Sequence, residues 1–332
     1  MAKVAINGMG RIGRACFKII ADTPGLDVVA VNDLLPPKNL AYNLSFDTVY
    51  GRFGHEVAVD GDALVLDGRS IRVYAEKNPA DLPWGGLGVD IVVESTGLFT
   101  QMEKAKAHID AGAKQVIISA PTKSPELATV VHGVARPEAS EKRIFSCASC
   151  TTNSITPVVE IMGRRIGVKK AILTTVHAYT ATQALVDMTS KFGRKGRAAA
   201  QNIIPASTGA AIATTKVLPQ YAGKFDGTAM RVPVPVGSVS DITFVTERAT
   251  TVEEVNAIFR EEAASDQYKN VIRASEDEIV SSDIVGDPHA SIVDLPLTQV
   301  VDGDLVKVFA WYDNEWGYSN QVVREIQHAV GA

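Results

Sequence analysis

The chain has 332 residues, 46% of them hydrophobic and 21% charged, which predicts a globular protein of about two domains. A formal net charge of -5 argues against nucleic acid or an anionic membrane as the main partner, and no apolar run of about 18 residues or signal peptide is evident. Three cysteines are too few for a disulfide framework and favour a reducing, cytoplasmic location.

Short apolar segments alternate with helical segments over the first half of the chain. Strands are predicted at 3–7, 27–33, 89–95, 114–119 and 143–147, and helices at 11–22 and 101–112. This alternation predicts βαβ units on a parallel sheet. Residues 51–76 alternate apolar and polar side chains around the turns DGD and DGR, which predicts an antiparallel excursion off the main sheet.

The pattern changes beyond residue 150. Longer strands are predicted at 169–180, 228–249 and 305–313, with a capped helix at 250–266 and a last helix at 316–331. Long strands with separate helices predict a mixed α+β second domain. Residues 181–209 lack clear periodicity, and so long a loop in a compact domain is usually functional.

The glycine pattern Gly8-x-Gly10-x-x-Gly13 lies between the first predicted strand and the first predicted helix. In this context it predicts a turn that holds a dinucleotide pyrophosphate at a helix N-terminus. Asp33 ends the next strand, 20 residues after Gly13, at the spacing of a carboxylate that binds a ribose hydroxyl. Because that carboxylate would repel a 2′-phosphate, NAD is favoured over NADP. The alternative interpretation is an ordinary glycine turn.

Two cysteines, Cys147 and Cys150, form a C-x-x-C between a strand and a helical segment. A zinc site would need a second ligand pair, which the sequence lacks, and a thioredoxin-like pair would leave the dinucleotide turn unexplained. We therefore interpret Cys150 as a nucleophile whose pKa the helix N-terminus should lower, although Pro157 is expected to disturb that helix. His177, at the end of a strand, is the candidate base. A structural strand-end histidine is the alternative for His177.

Eight motifs occur in order from residue 3 to the C-terminal helix: INGMGRIGR, VNDL, VVESTG, SCTTN, TVHAYT, NIIPASTGAA, MRVPVPVGSVSD and WYDNEWGYS. Together they resemble the phosphorylating glyceraldehyde-3-phosphate dehydrogenase family. The resemblance implies an α/β fold with a Rossmann-type NAD-binding domain over 1–149, completed by a helix at 316–332. It also implies a mixed α+β catalytic domain over 150–315 and a homotetramer.

The resemblance implies a glycolytic reaction. The Cys150 thiolate would attack the aldehyde of glyceraldehyde 3-phosphate, and His177 would take the hydroxyl proton as hydride leaves for NAD. Inorganic phosphate would then convert the thioester to 1,3-bisphosphoglycerate. The residues matched to the substrate phosphate are Thr180 and Arg231, and those matched to the attacking phosphate are Ser149, Thr151, Thr208 and Gly209. Beyond the glycines, those matched to the cofactor are Arg11, Ile12, Asp33, Lys77, Ser119 and Asn314.

Two alternative functions and two interpretations of Cys147 also fit the sequence. The related erythrose-4-phosphate dehydrogenase would use the same fold and the same Cys150 and His177 pair. A binding or regulatory protein on this fold is the alternative from another class. Cys147 has two interpretations, a packing residue or a thiol that resolves a sulfenic acid on Cys150 into a disulfide.

Overall fold

The computed structural model describes residues 1–134, 143–190 and 193–331, and within them the chain forms two compact units. The first unit contains Met1–His132, a segment ending at Ser149 and the chain from Ser319 onward. The second contains Cys150–Tyr318 and a short segment that begins at Gly133. Lys191 and Phe192 of the predicted loop, and Ala332 of the predicted last helix, lie outside the described residues.

The first unit alternates strands with helices. Its elements are β1 (Ala2–Asn7), α1 (Arg11–Ala21), β2 (Leu26–Asn32), α2 (Pro37–Ser45), β3 (Phe46–Asp47), β4 (Gly51–Arg52), β5 (Val57–Asp60), β6 (Ala63–Leu66), β7 (Arg69–Tyr74), α3 (Trp84–Leu87), β8 (Ile91–Glu94), α4 (Met102–Asp110), β9 (Gln115–Ile118), β10 (Ala128–Thr129) and β11 (Ile144–Ser146).

Nine of these strands form one sheet within the described part of the chain, in the order β10-β11-β9-β8-β1-β2-β7-β6-β5. The strands from β10 through β7 pair in parallel, and β6 and β5 follow antiparallel. Strand order reverses at β1, which has β2 on one side and β8 on the other. Ligands of open α/β sheets bind at the carboxyl end of such a switch point.

The predicted antiparallel excursion over 51–76 is wrong in one respect. The strands β5, β6 and β7 do form an antiparallel meander. However, β7 also pairs in parallel with β2, through Ala30 opposite Arg72 and Val31 opposite Val73. The meander therefore extends the main sheet instead of leaving it, because the free edge of β2 offers unpaired backbone groups.

The core of the first unit lies around the central parallel strands. Ala5, Ala30, Val92 and Val116, from four of these strands, are fully buried in one cluster. Trp84 of the short helix α3 packs into the same cluster and is also fully buried. Strands that are buried on both faces have continuous apolar sequences, and this pattern is what predicted them.

The second unit has fewer and longer strands. Its elements are α5 (Cys150–Arg165), β12 (Val168–Ala178), β13 (Ile204–Ser207), α6 (Ala210–Val217), β14 (Phe225–Val232), β15 (Ser238–Thr246), α7 (Val252–Ala264), β16 (Ile272–Ser275), β17 (Ser291–Val301) and β18 (Leu305–Tyr312). The helix α8 (Trp316–Val330) follows.

A mixed sheet of seven strands organises this unit among the residues described, in the order β13-β14-β12-β15-β18-β17-β16. The helix α5 packs against β12, β15, β17 and β18. Its apolar side chains, such as Ile155 and Val159, join Phe244 and Val308 of the sheet in one buried cluster. The start of α5 is thereby fixed against the strands that surround it.

Two expectations for this unit need correction. The single strand predicted at 228–249 is two strands, β14 and β15, because Pro233, Pro235 and Gly237 interrupt it and Gly237 has φ +97°. The region predicted as loop at 181–209 contains the strand β13. The helix α5 contains Pro157 and extends to Arg165.

Candidate active site

The glycine turn of the first unit has the geometry that its spacing predicts. Gly8 has φ +95°, and a Cβ on Gly13 would lie 1.9 Å from the carbonyl oxygen of Gly8. A Cβ on Gly10 would meet no protein atom within 4 Å. The turn therefore needs Gly8 and Gly13 for its own closure. At Gly10, beside the N-terminus of α1, it leaves open space for an anion.

The Asp33 side chain accepts a hydrogen bond from this turn. Its Oδ2 accepts from the backbone N–H of Met9 at 2.7 Å, and its Oδ1 accepts from the N–H of Leu35 at 3.0 Å. The carboxylate borders a cleft of about 500 Å³. The residues that line the cleft are Asn7, Gly8, Gly10, Asn32, Asp33, Leu34, Glu76, Lys77, Ser95, Thr96, Leu98 and Phe99. The cleft is wide enough for part of a dinucleotide and has a carboxylate and a lysine among its walls.

Other predicted cofactor residues contribute less to this cleft. The Arg11 guanidinium is paired with Asp47 and lies over the ring of Tyr50. Ile12 lies in the first turn of α1, and the Ser119 hydroxyl donates to the carbonyl oxygen of Glu94 at 3.1 Å. Arg11 and Ile12 can therefore offer backbone N–H groups at the start of α1 more readily than side chains.

A buried polar network below the turn was missed from the sequence. Glu94 and His108 are 1% and 0% exposed. The Trp84 Nε1–H donates to His108 Nδ1 at 3.0 Å. The protonated nitrogen of the neutral ring is then Nε2, which donates to Glu94 at 3.0 Å. Asn7 donates to the same carboxylate at 2.6 Å. The available signal was that Asn7 and Glu94 each end an otherwise apolar strand.

In the second unit, Cys150 and His177 are in contact. The Cys150 Sγ lies 3.4 Å from His177 Nε2. Cys150 is the first residue of α5, and His177 is the penultimate residue of β12. The 26 intervening residues complete α5 and run along β12, and the packing of α5 against β12 returns His177 to Cys150 as the sequence suggested. The pair has the arrangement of a nucleophile beside its base.

The thiol pKa does not follow the expectation from the helix N-terminus. Burial raises the pKa of Cys150, while the Arg231 charge and a hydrogen bond from the Thr151 side chain lower it. The net direction is upward, so the expected lowering is wrong for the free protein. Desolvation disfavours the thiolate more than the nearby positive charge and helix start favour it.

His177 is held in its neutral form. Burial first and the Arg231 charge second lower the pKa of His177 to about 4. The Nδ1 lies 2.7 Å from the carbonyl oxygen of Ala178, and Arg231 Nη1 donates to that oxygen at 2.8 Å. Arg231 Nη1, which can only donate, also lies 2.6 Å from Nδ1. The proton-accepting form of the ring has its hydrogen on Nδ1, bonded to Ala178, and the lone pair of Nε2 directed at the sulfur.

The residues matched to phosphate lie around the ends of strands and helices. Arg231 is opposite His177 in the pairing of β14 with β12. The Thr180 hydroxyl contacts Thr182 at 3.0 Å, and the Thr208 hydroxyl accepts from the Ala210 N–H at 3.1 Å, next to the exposed Gly209. The Thr151 side chain is buried, and Ser149 belongs to the first unit. The hydroxyls of Thr151 and Thr208 already have protein partners, which are the Tyr312 hydroxyl and the Ala210 N–H.

Asn314 has its side-chain oxygen occupied. This oxygen accepts from the Gly237 N–H at 3.1 Å and from the Ser238 hydroxyl at 3.0 Å. The two bonds orient the amide, and its NH₂ group is the part able to donate to a ligand carbonyl. Asn314 is 5% exposed.

Two family sequence models match the chain. The glyceraldehyde 3-phosphate dehydrogenase NAD-binding domain matches residues 2–102, and the C-terminal domain of the same family matches residues 149–314. The chain belongs to the glyceraldehyde 3-phosphate dehydrogenase family. This family consists of NAD-dependent oxidoreductases, and its fold combines a Rossmann-type NAD-binding domain with a catalytic domain.

Curated relatives agree with this assignment over nearly their whole length. The chain is similar to glyceraldehyde-3-phosphate dehydrogenase of Streptomyces coelicolor, with 48% identity over 97% of this chain and 96% of the relative. Identity to the enzyme of Clostridium pasteurianum is 46%, covering 99% and 98%. Identity to glyceraldehyde-3-phosphate dehydrogenase 1 of Bacillus subtilis is 47%, covering 97% and 96%.

Among the residues that the structure describes, no helix has both the length and the apolar character to cross a membrane. No group of three or more His, Cys, Asp or Glu side chains in the described ranges is arranged to hold a metal ion.

Proposed function

We propose that the chain oxidises glyceraldehyde 3-phosphate with NAD and inorganic phosphate to 1,3-bisphosphoglycerate, as a glycolytic enzyme. The observation that carries the proposal is the 3.4 Å contact between Cys150 Sγ and His177 Nε2 at the start of α5. Family membership supports the choice of substrates.

The mechanism assigns separate steps to the two residues. Cys150 forms a carbon–sulfur bond with the aldehyde carbon, giving a hemithioacetal. His177 Nε2 then takes the hydroxyl proton while the carbon loses hydride. NAD, when bound, supplies the acceptor for that hydride. The oxygen of inorganic phosphate attacks the resulting thioester, the carbon–sulfur bond breaks, and Cys150 leaves as thiolate.

The proposed binding residues form three groups, for the substrate phosphate, for the attacking phosphate and for NAD. Thr180 and Arg231 would bind the phosphate of the aldehyde, and Ser149, Thr151, Thr208 and Gly209 the attacking phosphate. Hydroxyls, backbone N–H groups and a guanidinium are suitable phosphate donors. For NAD, we propose the Gly8–Gly13 turn with Arg11 and Ile12 at the pyrophosphate and Asp33 at the adenine ribose. Lys77, Ser119 and Asn314 complete the proposed set.

We propose the domain division 1–149 with 316–332 for NAD binding and 150–315 for catalysis.

The proposed assembly is a homotetramer. It is supported by large apolar side chains on the surface of the second unit, including Ile172, Leu185 and Ile203 at 63%, 81% and 69% exposure. Light scattering should give a mass four times that of the chain.

The proposed location is the cytoplasm, since the reaction needs a free thiol at Cys150.

The deciding experiment measures NADH formation. Activity should require both glyceraldehyde 3-phosphate and inorganic phosphate, and Cys150→Ser should abolish it. His177→Asn should lower kcat by roughly 10²- to 10⁴-fold with little change in KM. A rate indifferent to phosphate would contradict the phosphorylating reaction. A higher kcat/KM for erythrose 4-phosphate would assign the chain to that alternative substrate, and no turnover of either would favour a binding protein.

A further inference from the structure

Glu94 is a buried carboxylate that has no part in the proposed mechanism. It is the last residue of β8, lies opposite Asn7 of β1 in the parallel pairing, and is 1% exposed. Glu94 is not among the residues that line the proposed NAD cleft. A carboxylate in so buried a place needs several hydrogen-bond donors. The positions of these donors show which parts of the cleft the carboxylate can hold in place.

One carboxylate oxygen binds a turn that lines the cleft. The Thr96 backbone N–H donates to Glu94 Oε1 at 2.9 Å, and the Thr96 hydroxyl donates to the same oxygen. That hydroxyl also accepts from the N–H of Leu98 at 3.1 Å. The turn between them contains Gly97, with φ +74°. Because Thr96 and Leu98 both line the cleft, Oε1 fixes this part of its wall.

The other carboxylate oxygen is connected to three further strand ends. Asn7 Nδ2 donates to Glu94 Oε2 at 2.6 Å, and Asn7 Oδ1 accepts from Asn32 Nδ2 at 2.7 Å. The Asn32 amide then binds the N–H and the carbonyl oxygen of Glu76, at 2.8 and 2.9 Å. Asn7, Asn32 and Glu76 all line the cleft. They lie at the ends of β1 and β2 and just after β7, so Oε2 fixes this second part of the wall.

His108 supplies the remaining donor from outside the cleft lining. It lies in α4 and is 0% exposed. Its Nε2–H donates to Glu94 Oε2 at 3.0 Å, because Trp84 donates to Nδ1. The imidazole also meets the ring of Phe99 edge-on, with centroids 6.3 Å apart, and Phe99 lines the cleft. His108 therefore supports both the carboxylate and an aromatic part of the wall.

We propose that Glu94 and His108 are positioning residues that hold the wall of the NAD cleft in its binding geometry before NAD binds. The proposal rests on the proposed NAD site in this cleft. Binding to a cleft whose wall is already ordered costs less conformational entropy. A hydrogen-bond network of this kind specifies one arrangement only while all of its members are satisfied. Loss of a single acceptor should therefore loosen both parts of the wall.

The main test replaces Glu94 with Gln, which keeps the shape of the side chain. A carboxylate accepts at both oxygens, whereas an amide must direct its NH₂ group either at Thr96 or at Asn7 and His108. In both orientations a donor meets a donor. We expect Glu94→Gln to raise the Kd for NAD about tenfold in a calorimetric titration. KM for NAD should rise with it, while kcat at saturating NAD should stay within about twofold.

A second measurement needs no NAD. In the free protein, the Thr96 N–H donates directly to Glu94, and the Leu98 N–H donates to the hydroxyl that Glu94 orients. Hydrogen–deuterium exchange at these two amides should be about tenfold faster in Glu94→Gln, as expected when hydrogen bonds to a charged group are lost.

Two further variants make the test specific. His108→Phe keeps an aromatic ring beside Phe99 and removes a donor to Glu94, so the Kd for NAD should rise about threefold. Ser124→Ala is the matched control in the same unit. The Ser124 hydroxyl accepts from the N–H of Met102 at the start of α4, at 3.1 Å. Its loss should destabilise the helix that carries His108 and leave the Kd for NAD unchanged.

Several results would overturn the proposal. The parent Kd for NAD and the parent exchange rates in Glu94→Gln would do so, as would an equal loss of affinity in Ser124→Ala. If Glu94→Gln does not fold, the parent Kd in His108→Phe would have the same meaning. A parent protein that binds NAD and forms no NADH would refute the proposed reaction and leave Glu94 to be judged by Kd and exchange. A parent protein that does not bind NAD would refute both proposals.

Discussion

Arg231 Nη1 lies 2.6 Å from His177 Nδ1, on the side of the imidazole opposite to Cys150. The guanidinium lowers the pKa of both reactive residues, after burial has lowered that of His177 and raised that of Cys150. One positive charge therefore favours the ionised nucleophile and the neutral base together. The same charge is the proposed partner of the substrate phosphate.

Arg231→Gln should separate these two effects. Without the guanidinium, the Cys150 pKa rises further, so alkylation by iodoacetamide at pH 7 should be several-fold slower. The KM for glyceraldehyde 3-phosphate should also rise roughly 10- to 100-fold, as expected when a charged hydrogen bond is lost. Steady-state kinetics and alkylation rates check the two parts. Alkylation at the parent rate would contradict the electrostatic role of Arg231 at the thiol.

Alanine at two of the turn glycines should give opposite phenotypes. In Gly13→Ala the new Cβ meets the Gly8 carbonyl oxygen at 1.9 Å, so we expect a loss of about 1–3 kcal/mol in unfolding free energy. In Gly10→Ala no protein atom lies within 4 Å, so stability should stay within about 0.5 kcal/mol.

NAD affinity distinguishes the same two variants. The Gly10→Ala methyl group would occupy the space proposed for the pyrophosphate, so the Kd for NAD should rise at least about tenfold in a protein of normal stability. Denaturant unfolding and NAD titration provide the measurements. Parent affinity in Gly10→Ala would place the pyrophosphate elsewhere.

Asp33→Asn should relax the choice of cofactor. The variant loses the charge that repels a 2′-phosphate and one acceptor for the ribose hydroxyls. The ratio of kcat/KM for NADP to that for NAD should rise by about tenfold or more. Asp60→Asn, an exposed change in β5 of the same unit, is the matched control and should leave the ratio unchanged. An unaltered ratio in Asp33→Asn would remove Asp33 from the proposed ribose site.

A histidine in the first unit should make stability depend on pH. His55 Nδ1 contacts Asp67 and His55 Nε2 contacts Asp22 at 2.7 Å. Hydrogen bonds to Asp67 and Asp22, in that order, raise the pKa of His55 above its ordinary value. A raised folded-state pKa contributes stability that is fully present below about pH 6.5, the unfolded value. The contribution is lost as pH rises through the folded value.

The variant His55→Gln tests this dependence. Its Tm should fall below that of the parent at pH 6, and the difference should shrink toward pH 9 as the parent histidine loses its proton. Thermal unfolding followed by circular dichroism at several pH values gives the comparison. A Tm difference that does not change with pH would assign His55 a packing role, for example against Phe53.

The sequence predicted most of the first unit because its strands are buried on both faces and read as apolar runs. It placed Gly8 and Gly13 correctly relative to each other because turn geometry is a local property. Asp33 reaches this turn through the N–H of Met9, 24 residues away, and was found from the regular spacing of a strand–helix–strand unit. It did not predict the helix α2, whose start at Pro37 carries no side-chain cap. Nor did it show that the antiparallel meander joins the main sheet, since pairing with β2 is a long-range contact.

For the reactive pair, the sequence suggested Cys150 and His177 from their positions at the ends of elements. It gave the wrong sign for the thiol pKa, because burial is a property of the whole fold and outweighs the local helix start. Nor did it predict that the buried hydroxyl of Tyr312 contacts Thr151 and Thr175. These contacts depend on the pairing of β18 with β15 and of β15 with β12, which are long-range.

The helix α5 begins at the nucleophile itself, and nearly all its first three turns are buried against the sheet. The backbone amides of such a segment exchange with solvent only when large parts of a domain open. The amides of Ile155 and Val159 should therefore be among the slowest to exchange in this unit. The nucleophile lies on a helix that we expect not to unfold independently, so heat should abolish catalytic activity and tertiary structure in a single event.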